Sequence, residues 1–474
     1  MSGPTLSPTR LLEAVLRQDL SSFIAKSFHT LNPGIEYQPN WHIDLIAAYL
    51  EAVTQGEIKR LIINMPPRAL KSVTVTVSWP AWLLGRNPAT RIIAASYSQA
   101  LSTKHSVDCR ALIQSPWYRQ LFPDTQLSKT HNQKQKFMTS QHGFRFATSV
   151  GGTATGEGAD ILIIDDPLSA AQAQSATRRM RAIEWFEQTF MSRLNDKSKG
   201  AVVMVMQRLH PDDLTGYLLQ KPEHPWTVLS LPAICPYTHS IQQGRVSRLW
   251  QEGELLQSTR ESKAILDRLC AEMGSYVFSA QYLQKPLVSE GGMVDAKWFV
   301  YRSQELIDAL EFDAVVQSWD TAIKAVQVND YSVCMTWGIC DLGLVLLDVA
   351  RFQLEYPELK RTCLLLAGKW KPVALLIEDT ASGQSLLQDI RRETQLACVG
   401  IRPKGDKISR LAAVTPIIEA GRVVFPKNAP WLHTLEQELL AFPHAKHDDQ
   451  VDALSQFLTW SKQKSARIRI RSWG

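Results

Sequence analysis

Residues 61–72, LIINMPPRALKS, constrain this chain more than any other stretch. A short apolar run leads into two prolines, an arginine and a Lys-Ser pair that opens a helix-like segment. The order matches a phosphate-binding loop, G-x-x-x-x-G-K-[ST]. In such a loop backbone N–H groups close around phosphate, the lysine reaches the β- and γ-phosphates, and the hydroxyl holds Mg²⁺. Here Met65 and Leu70 occupy the two glycine positions, so the loop is degenerate. Pro66 and Pro67 fix φ where the chain turns into it, which stiffens the loop without glycine. Pro67, Arg68, Lys71 and Ser72 are the expected nucleotide contacts, with Arg68 adding charge beside a transferring phosphate. Lys-Ser after an apolar strand is common, so the surroundings decide.

A second anchor lies at 144–167, FRFATSVGGTATGEGADILIIDDP. A glycine-rich loop feeds the apolar run 161–164, which ends in Asp165, Asp166 and Pro167. A buried strand ending in an acidic pair is the Walker B arrangement. Its first carboxylate, Asp165, holds Mg²⁺ with Ser72, and its second, Asp166, polarises the attacking water. Asp166 is one methylene shorter than the Glu more usual there. A third strand, 201–206, delivers Gln207 and Arg208 at its C-terminal end, where open α/β sheets place ligand-contacting groups. Gln207 is placed to sense the γ-phosphate and Arg208 to contact phosphate in its own or a neighbouring subunit. Trp41 and His42, upstream of the loop strand, suit an adenine sandwich; a core-packed tryptophan is the alternative reading.

At 474 residues the chain is long enough for two or three domains of roughly 100 to 200 residues each. We place an ATPase domain at 1–235, a polar linker at 236–293 with Gly291 and Gly292 as its flexible junction, and a second domain at 294–474. No window of about 18 apolar residues spans a bilayer and the N-terminus has no signal-peptide core, which predicts a cytoplasmic protein. The seven cysteines are scattered and without a C-x-x-C, which predicts reduced thiols in place of disulfides or zinc ligands. A net charge of +6 is compatible with a polyanionic partner. The tail 462–471, KQKSARIRIR, is basic with period two, either an edge strand or extended arm or a solvated terminus.

The second domain reopens with runs at 314–324, 331–341 and 342–352, spaced for antiparallel hairpins, followed by a helix, a buried strand at 373–383 and further helices. Three antiparallel strands followed by alternating helices and strands is the order of an RNase H fold. Asp320 falls at the centre of the first strand and Glu378 at the end of the fourth. Carboxylates on buried strands are costly unless a cation offsets their desolvation, which points to a metal site. In HAKHDDQVDALSQF, Asp448, Asp449 and Asp452 share one helical arc and Val451, Leu454 and Leu458 another. Asp448 is equally suited to an N-cap. Carboxylates converging from three segments, with Asp330 as a fourth ligand, fit two divalent ions that activate water for phosphodiester hydrolysis. Hard oxygen donors favour Mg²⁺ or Mn²⁺ over Zn²⁺.

With these motifs in this order, the sequence resembles the large terminase subunit of tailed phages and prophages. PPRALKS resembles the family's variant phosphate loop, GGTATGEGADILIIDDP its Walker B region and QRLHPDDL its coupling motif, where Thr or Ser more often stands at Gln207. SWDTAIK with Asn329 and Asp330, LLIEDTASG, Lys407 with Arg410, and HDDQVDALSQ resemble its nuclease signature. The resemblance implies an N-terminal P-loop NTPase domain with a mainly parallel sheet and a C-terminal RNase H-like nuclease domain. It further implies ATP-driven movement of double-stranded DNA by a ring of subunits on the portal protein, with a small terminase subunit choosing the site. By the same likeness Asp320, Glu378 and one or both of Asp449 and Asp452 bind the nuclease metals. An RNase H-like transposase or resolvase-type nuclease is the alternative, and a decayed, non-enzymatic prophage product a further one.

Overall fold

The computed structural model describes residues 8–154, 156–221, 223, 225–286, 292–321, 331–445 and 447–471. The chain divides into two compact units. The first comprises residues 1–267 and 277–287; the second comprises 268–276 and 288–474.

The first unit is built on eight strands: β1 (Arg60–Asn64), β2 (Arg91–Ser96), β3 (Leu127–Asn132), β4 (Lys136–Thr139), β5 (Phe144–Ser149), β6 (Ile161–Asp165), β7 (Ala201–Met206) and β8 (Thr227–Ser230). Their order in the sheet is β3-β4-β5-β2-β6-β7-β1-β8. Every pairing from β5 to β8 is parallel, and β3 and β4 add an antiparallel edge. Ile161 to Asp165 and Ala201 to Met206 are buried along their whole length, as strands covered on both faces must be. Hence they read as continuous apolar runs without alternation. The phosphate-loop strand β1 lies between β7 and β8, and β7 lies beside β6, so the C-terminal ends of these parallel strands open at the same end of the sheet.

VTVTVS, β-branched but expected to be helical because it follows the phosphate loop, is a π-helical segment, Val73–Ser78, running into the helix Trp79–Arg86. Tertiary burial overrides β-branched propensity here: Thr74 to Ser78 are all buried. The helix Trp41–Thr54 starts at Asn40, whose side chain accepts from the His42 amide.

The polar segment expected to link two domains is instead largely structured. Residues 236–267 and 277–287 belong to the first unit. Strands β9 (His239–Gln243) and β10 (Val246–Trp250) form an antiparallel hairpin, and helices follow at Lys263–Met273 and Ser275–Gln281. The hairpin's alternating exposure gave it a polar composition, while Trp250 at its end is fully buried. Of the proposed junction, Gly291 lies outside the described residues.

The second unit carries β11 (Val300–Arg302), β12 (Ala314–Asp320), β13 (Ser332–Cys340), β14 (Gly343–Phe352), β15 (Ala374–Glu378), β16 (Cys398–Ile401) and β17 (Val423–Pro426), in the order β11-β17-β14-β13-β12-β15-β16. β12, β13 and β14 are antiparallel neighbours, and β15 joins β12 in parallel. This is the expected RNase H-like order, with Asp320 as the last residue of β12 and not at its centre. A long helix, Asp449–Arg471, buries Val451, Leu454, Phe457 and Leu458 in the core of this unit. Each fully buried leucine of this kind contributes about 1.5–3 kcal/mol. Phe457 stacks on Trp337 of β13, with ring centroids 4.4 Å apart. The helix continues through the basic tail, which is therefore not an edge strand or an extended arm.

All seven cysteines are free thiols. Among the described residues no helix is long and apolar enough to cross a membrane.

Candidate functional sites

In the first unit the predicted nucleotide residues gather around the ends of β1, β6 and β7. Asp165, at the end of β6, is fully buried and accepts from Ser72 Oγ at 3.1 Å and Thr76 Oγ1 at 2.7 Å. Lys71 is nearly buried and places Nζ 2.9 Å from Asp166 Oδ2. The Gln207 amide donates to Asp166 Oδ1 at 3.2 Å, so the end of β7 is tied to the acidic pair. Burial pushes both carboxyls above the ordinary aspartate range, while Lys71 opposes the shift at each. A divalent ion would relieve the same cost: two adjacent acids and a hydroxyl are hard-oxygen donors that fit one.

The loop itself departs from glycine at a measurable cost. Arg68 and Leu70 adopt φ of 63° and 64°, the left-handed region that favours glycine. Leu70 thus stands at a glycine position in conformation as well as in register. Arg68 is exposed and its carbonyl accepts from Arg260 Nη1 at 2.7 Å; Pro67 is partly buried. His42 lies under the loop, with Nε2 3.4 Å from the Ala69 carbonyl. Its burial lowers its pKa to about 4, so it stays neutral. Trp41 packs edge-on against Trp250 at 5.1 Å, and the Arg248 guanidinium sits 4.8 Å over its ring. The tryptophan is therefore held by the β9–β10 hairpin, as in the core-packed alternative.

Arg208 does not point a free guanidinium at this site. Nε lies 3.0 Å from both carboxylate oxygens of the fully buried Asp213, and Nη2 reaches the carbonyls of His210 and Pro211. Its backbone amide donates to Gln284 Oε1 at 3.0 Å. The expected phosphate contact is thus a strut between the end of β7 and the following helix. Gln207 Oε1 is buried and makes no hydrogen bond among the described residues.

Sequence reading missed the polar group behind Asp165. His105 Nδ1 lies 3.5 Å from Asp165 Oδ2, and burial lowers its pKa to about 4. Arg145 of β5 is wholly buried and donates from Nη2 to the Thr76 carbonyl at 3.2 Å. Burial pulls its pKa down, while the Cys109 thiol and Asp165 favour its charge. An arginine inside the apolar-looking FRFATS was the one signal available.

In the second unit Asp320 ends β12 and Glu378 ends the adjacent β15, whose register pairs Trp319 with Ile377. Gly383 lets the next helix close on that strand end; a Cβ there would meet the Glu378 carbonyl at 1.9 Å. The long helix is pinned to the same place. Gln456 Nε2 donates to Ser318 Oγ at 3.0 Å and to the Trp319 carbonyl at 3.2 Å, and Ser318 Oγ donates to the Ala453 carbonyl at 2.8 Å. Burial pushes Asp320 well above the usual carboxylate range, and the charges of Glu378, Asp452 and Asp449 push it further. Burial likewise raises Glu378, with Arg410 opposing.

Three cations stand among these acids. Lys407 Nζ lies 2.6 Å from Asp448 and 2.9 Å from Asp452, and Arg410 also pairs with Asp452. Burial pulls Lys407 down, but its bonds to Asp448 and Asp452 outweigh that and raise it overall. Asp449 faces Arg351 at 3.7 Å. Asp449 and Asp452 thus act on Asp320, and Asp452 on Glu378, whereas Asp448 is tied to Lys407; among the described residues no three acids stand close enough to hold a metal without adjustment. Asp330 lies outside the described residues. The acids outnumber the cations and are all oxygen donors, a set that fits a divalent ion.

Residues 317–459 match the family model of the terminase RNase H-like domain. No curated protein sequence matches the chain. Among solved structures, the chain is similar to the large terminase of a thermophilic bacteriophage in complex with ADP, at 11% identity and a TM-score of 0.49 over 91% of this chain and 98% of that one. It is also similar to the HK97 bacteriophage large terminase, at 11% identity and a TM-score of 0.36 over 90% and 92%. The magnesium-bound large terminase nuclease of thermophilic phage G20c is similar at 15% identity and a TM-score of 0.26 over 31% and 80%. The chain thus carries, in residues 317–459, the RNase H-like domain of the terminases.

Proposed function

We propose that this chain is the large subunit of a DNA-packaging terminase, its first unit an ATPase that moves duplex DNA and its second an endonuclease that cuts it. The observation that carries the reading is the family match over 317–459 together with the acids it encloses. Asp320, Glu378, Asp449 and Asp452 act on one another electrostatically at the end of one sheet. An RNase H-like transposase or resolvase-type nuclease is not favoured, because the match is to the terminase domain and an ATP-type site precedes it.

In the ATPase, Ser72 and Asp165 are the residues to hold Mg²⁺, and Lys71 and Arg68 to face the phosphates. Asp166 orients the attacking water and accepts its proton at Oδ1 or Oδ2, with Lys71 and the Gln207 amide fixing that carboxylate. Gln207, on the same backbone, transmits the state of the site to β7. In the nuclease, Asp320, Glu378, Asp449 and Asp452 are the residues to hold Mg²⁺ or Mn²⁺. Bound there, divalent ions supply a water of lowered pKa and neutralise phosphate charge. Lys407 and Arg410 hold Asp452 in place and draw the DNA phosphates toward the acids. Partners on this reading are double-stranded DNA, a portal protein, a small terminase subunit and further copies of the chain in a ring, in the bacterial cytoplasm.

The test is a purified full-length chain assayed for ATP turnover with and without duplex DNA, and for plasmid cleavage in Mg²⁺ or Mn²⁺. DNA-stimulated ATPase together with cleavage is expected. Cleavage with no ATP turnover would instead support the transposase or resolvase alternative.

A further inference from the structure

Beside the nuclease acids the second unit opens a cavity of about 540 Å³. Glu378 and Asp452 form one wall, and the rest is chemically different from a metal site. The cavity lining also includes Arg402 and Lys404, which follow β16, and Thr459, Trp460 and Gln463 of the long helix. The space thus sits beyond the C-terminal ends of two parallel strands, β15 and β16, the place where α/β sheets receive ligands.

Three features define what would fill it. Arg402 Nε lies 2.9 Å from Asp379 Oδ2, yet its side chain is 82% exposed, so the guanidinium is oriented while still open to an anion. Trp460 offers an indole ring, backed by Phe457 at 6.2 Å between centroids, with Lys464 Nζ 4.8 Å from the ring centre. Thr459 and Gln463, one turn apart on the helix, bring hydroxyl and amide groups that read hydrogen-bonding edges. Cations beside an aromatic platform are what single-stranded nucleic acid binds: phosphate on the charge, base on the ring. A base within a duplex is stacked on both faces and cannot lie on a side chain, and the cavity is of single-nucleotide size.

The geometry points to a subsite for one unpaired nucleotide of the strand being cut, its phosphate on Arg402 and Lys404 and its base against Trp460. The inference rests on the nuclease reading above. It adds a substrate preference: the enzyme engages DNA whose pairing is opened next to the scissile phosphate, so frayed or mismatched duplex is cut faster than perfect duplex.

The experiment compares kcat/KM of the full-length protein on two duplexes of the same sequence, one fully paired and one with a short mismatched bubble at the cut. Wild type is expected to prefer the bubble by roughly tenfold, the scale of one base–aromatic stack. Trp460→Ala should bring the ratio close to one, while Trp460→Phe retains most of it. Because Trp460→Ala can also disturb the helix, Arg402→Ala with Lys404→Ala gives a second reading. That pair should weaken binding of a single-stranded oligonucleotide in chelator, measured by anisotropy, and reduce its salt dependence. Equal cutting of both duplexes by wild type, or a preference that survives Trp460→Ala, overturns the subsite and leaves the nuclease reading intact. Failure of wild type to cut either duplex in Mg²⁺ or Mn²⁺ overturns both.

Discussion

Lys71 and Asp166 form an ion pair of 2.9 Å between the phosphate loop and the acidic pair that ends β6. The lysine is nearly buried, so its charge is spent on this carboxylate until a phosphate competes for it. Lys71→Ala removes the phosphate-facing cation and Asp166's counter-charge together. ATP turnover should fall at least about a hundredfold, near 2.7 kcal/mol of barrier. Plasmid cleavage by the same protein should persist. Unchanged steady-state ATP hydrolysis would rule out the assignment of this loop.

Asp320 is opposed in its ionised form by burial and by three neighbouring acids. Asp320→Asn should therefore separate function from stability. Cleavage should drop by at least about a hundredfold, since a carboxylate proposed to hold the metal becomes a neutral amide. The melting temperature measured in chelator should rise by a few degrees, because one of the mutually repelling charges is gone. A melting temperature that falls would contradict the crowded-acid account.

His42 sets a pH dependence. Its folded-state pKa of about 4 lies below the ordinary 6.5, so between those values the unfolded chain binds the extra proton. Its stability contribution is complete above about pH 6.5 and declines as pH falls toward 4, by up to ~1.4 kcal/mol per unit. Urea titrations of wild type and His42→Asn across that window should show a shallower slope in the variant. Parallel slopes would mean that His42 takes up its proton in the folded protein.

Arg208 and Asp213 offer a test of strut against phosphate contact. Arg208→Met leaves a fully buried carboxylate without its cation and should cost about 3–5 kcal/mol, read by chemical denaturation. The KM for ATP of the folded variant should hardly move. A stable variant with a weakened KM would return Arg208 to the phosphates.

Much of the site was legible because its residues sit at the ends of apolar runs, where a strand terminus and its next residue are fixed by the run itself. Asp165, Asp166, Gln207, Asp320 and Glu378 were found that way. What stayed hidden depends on contacts between distant segments. Thr76 looks like one more β-branched residue in VTVTVS, and only the π-helical path brings its hydroxyl to Asp165. His105 lies 3.5 Å from the same carboxylate and the charge of Arg145 acts on it, each from another element. Trp41 stayed open between an adenine sandwich and core packing because its partners, Trp250 and Arg248, lay in a segment whose polar, alternating face looked like a linker. Arg208 read as a free cation because its partner is set by the turn at 208–213.

The chain passes from one compact unit to the other after residues 267, 276 and 287. A single genetic cut therefore cannot hand each half its full set of parts. Gln284, which holds the Arg208 amide of the first unit, lies further along the chain than residues 268–276, which belong to the second. The two units are thus not separable cassettes along the chain. Recombination between related genes would exchange them cleanly only with several breakpoints at once, so the two are expected to be inherited as one piece.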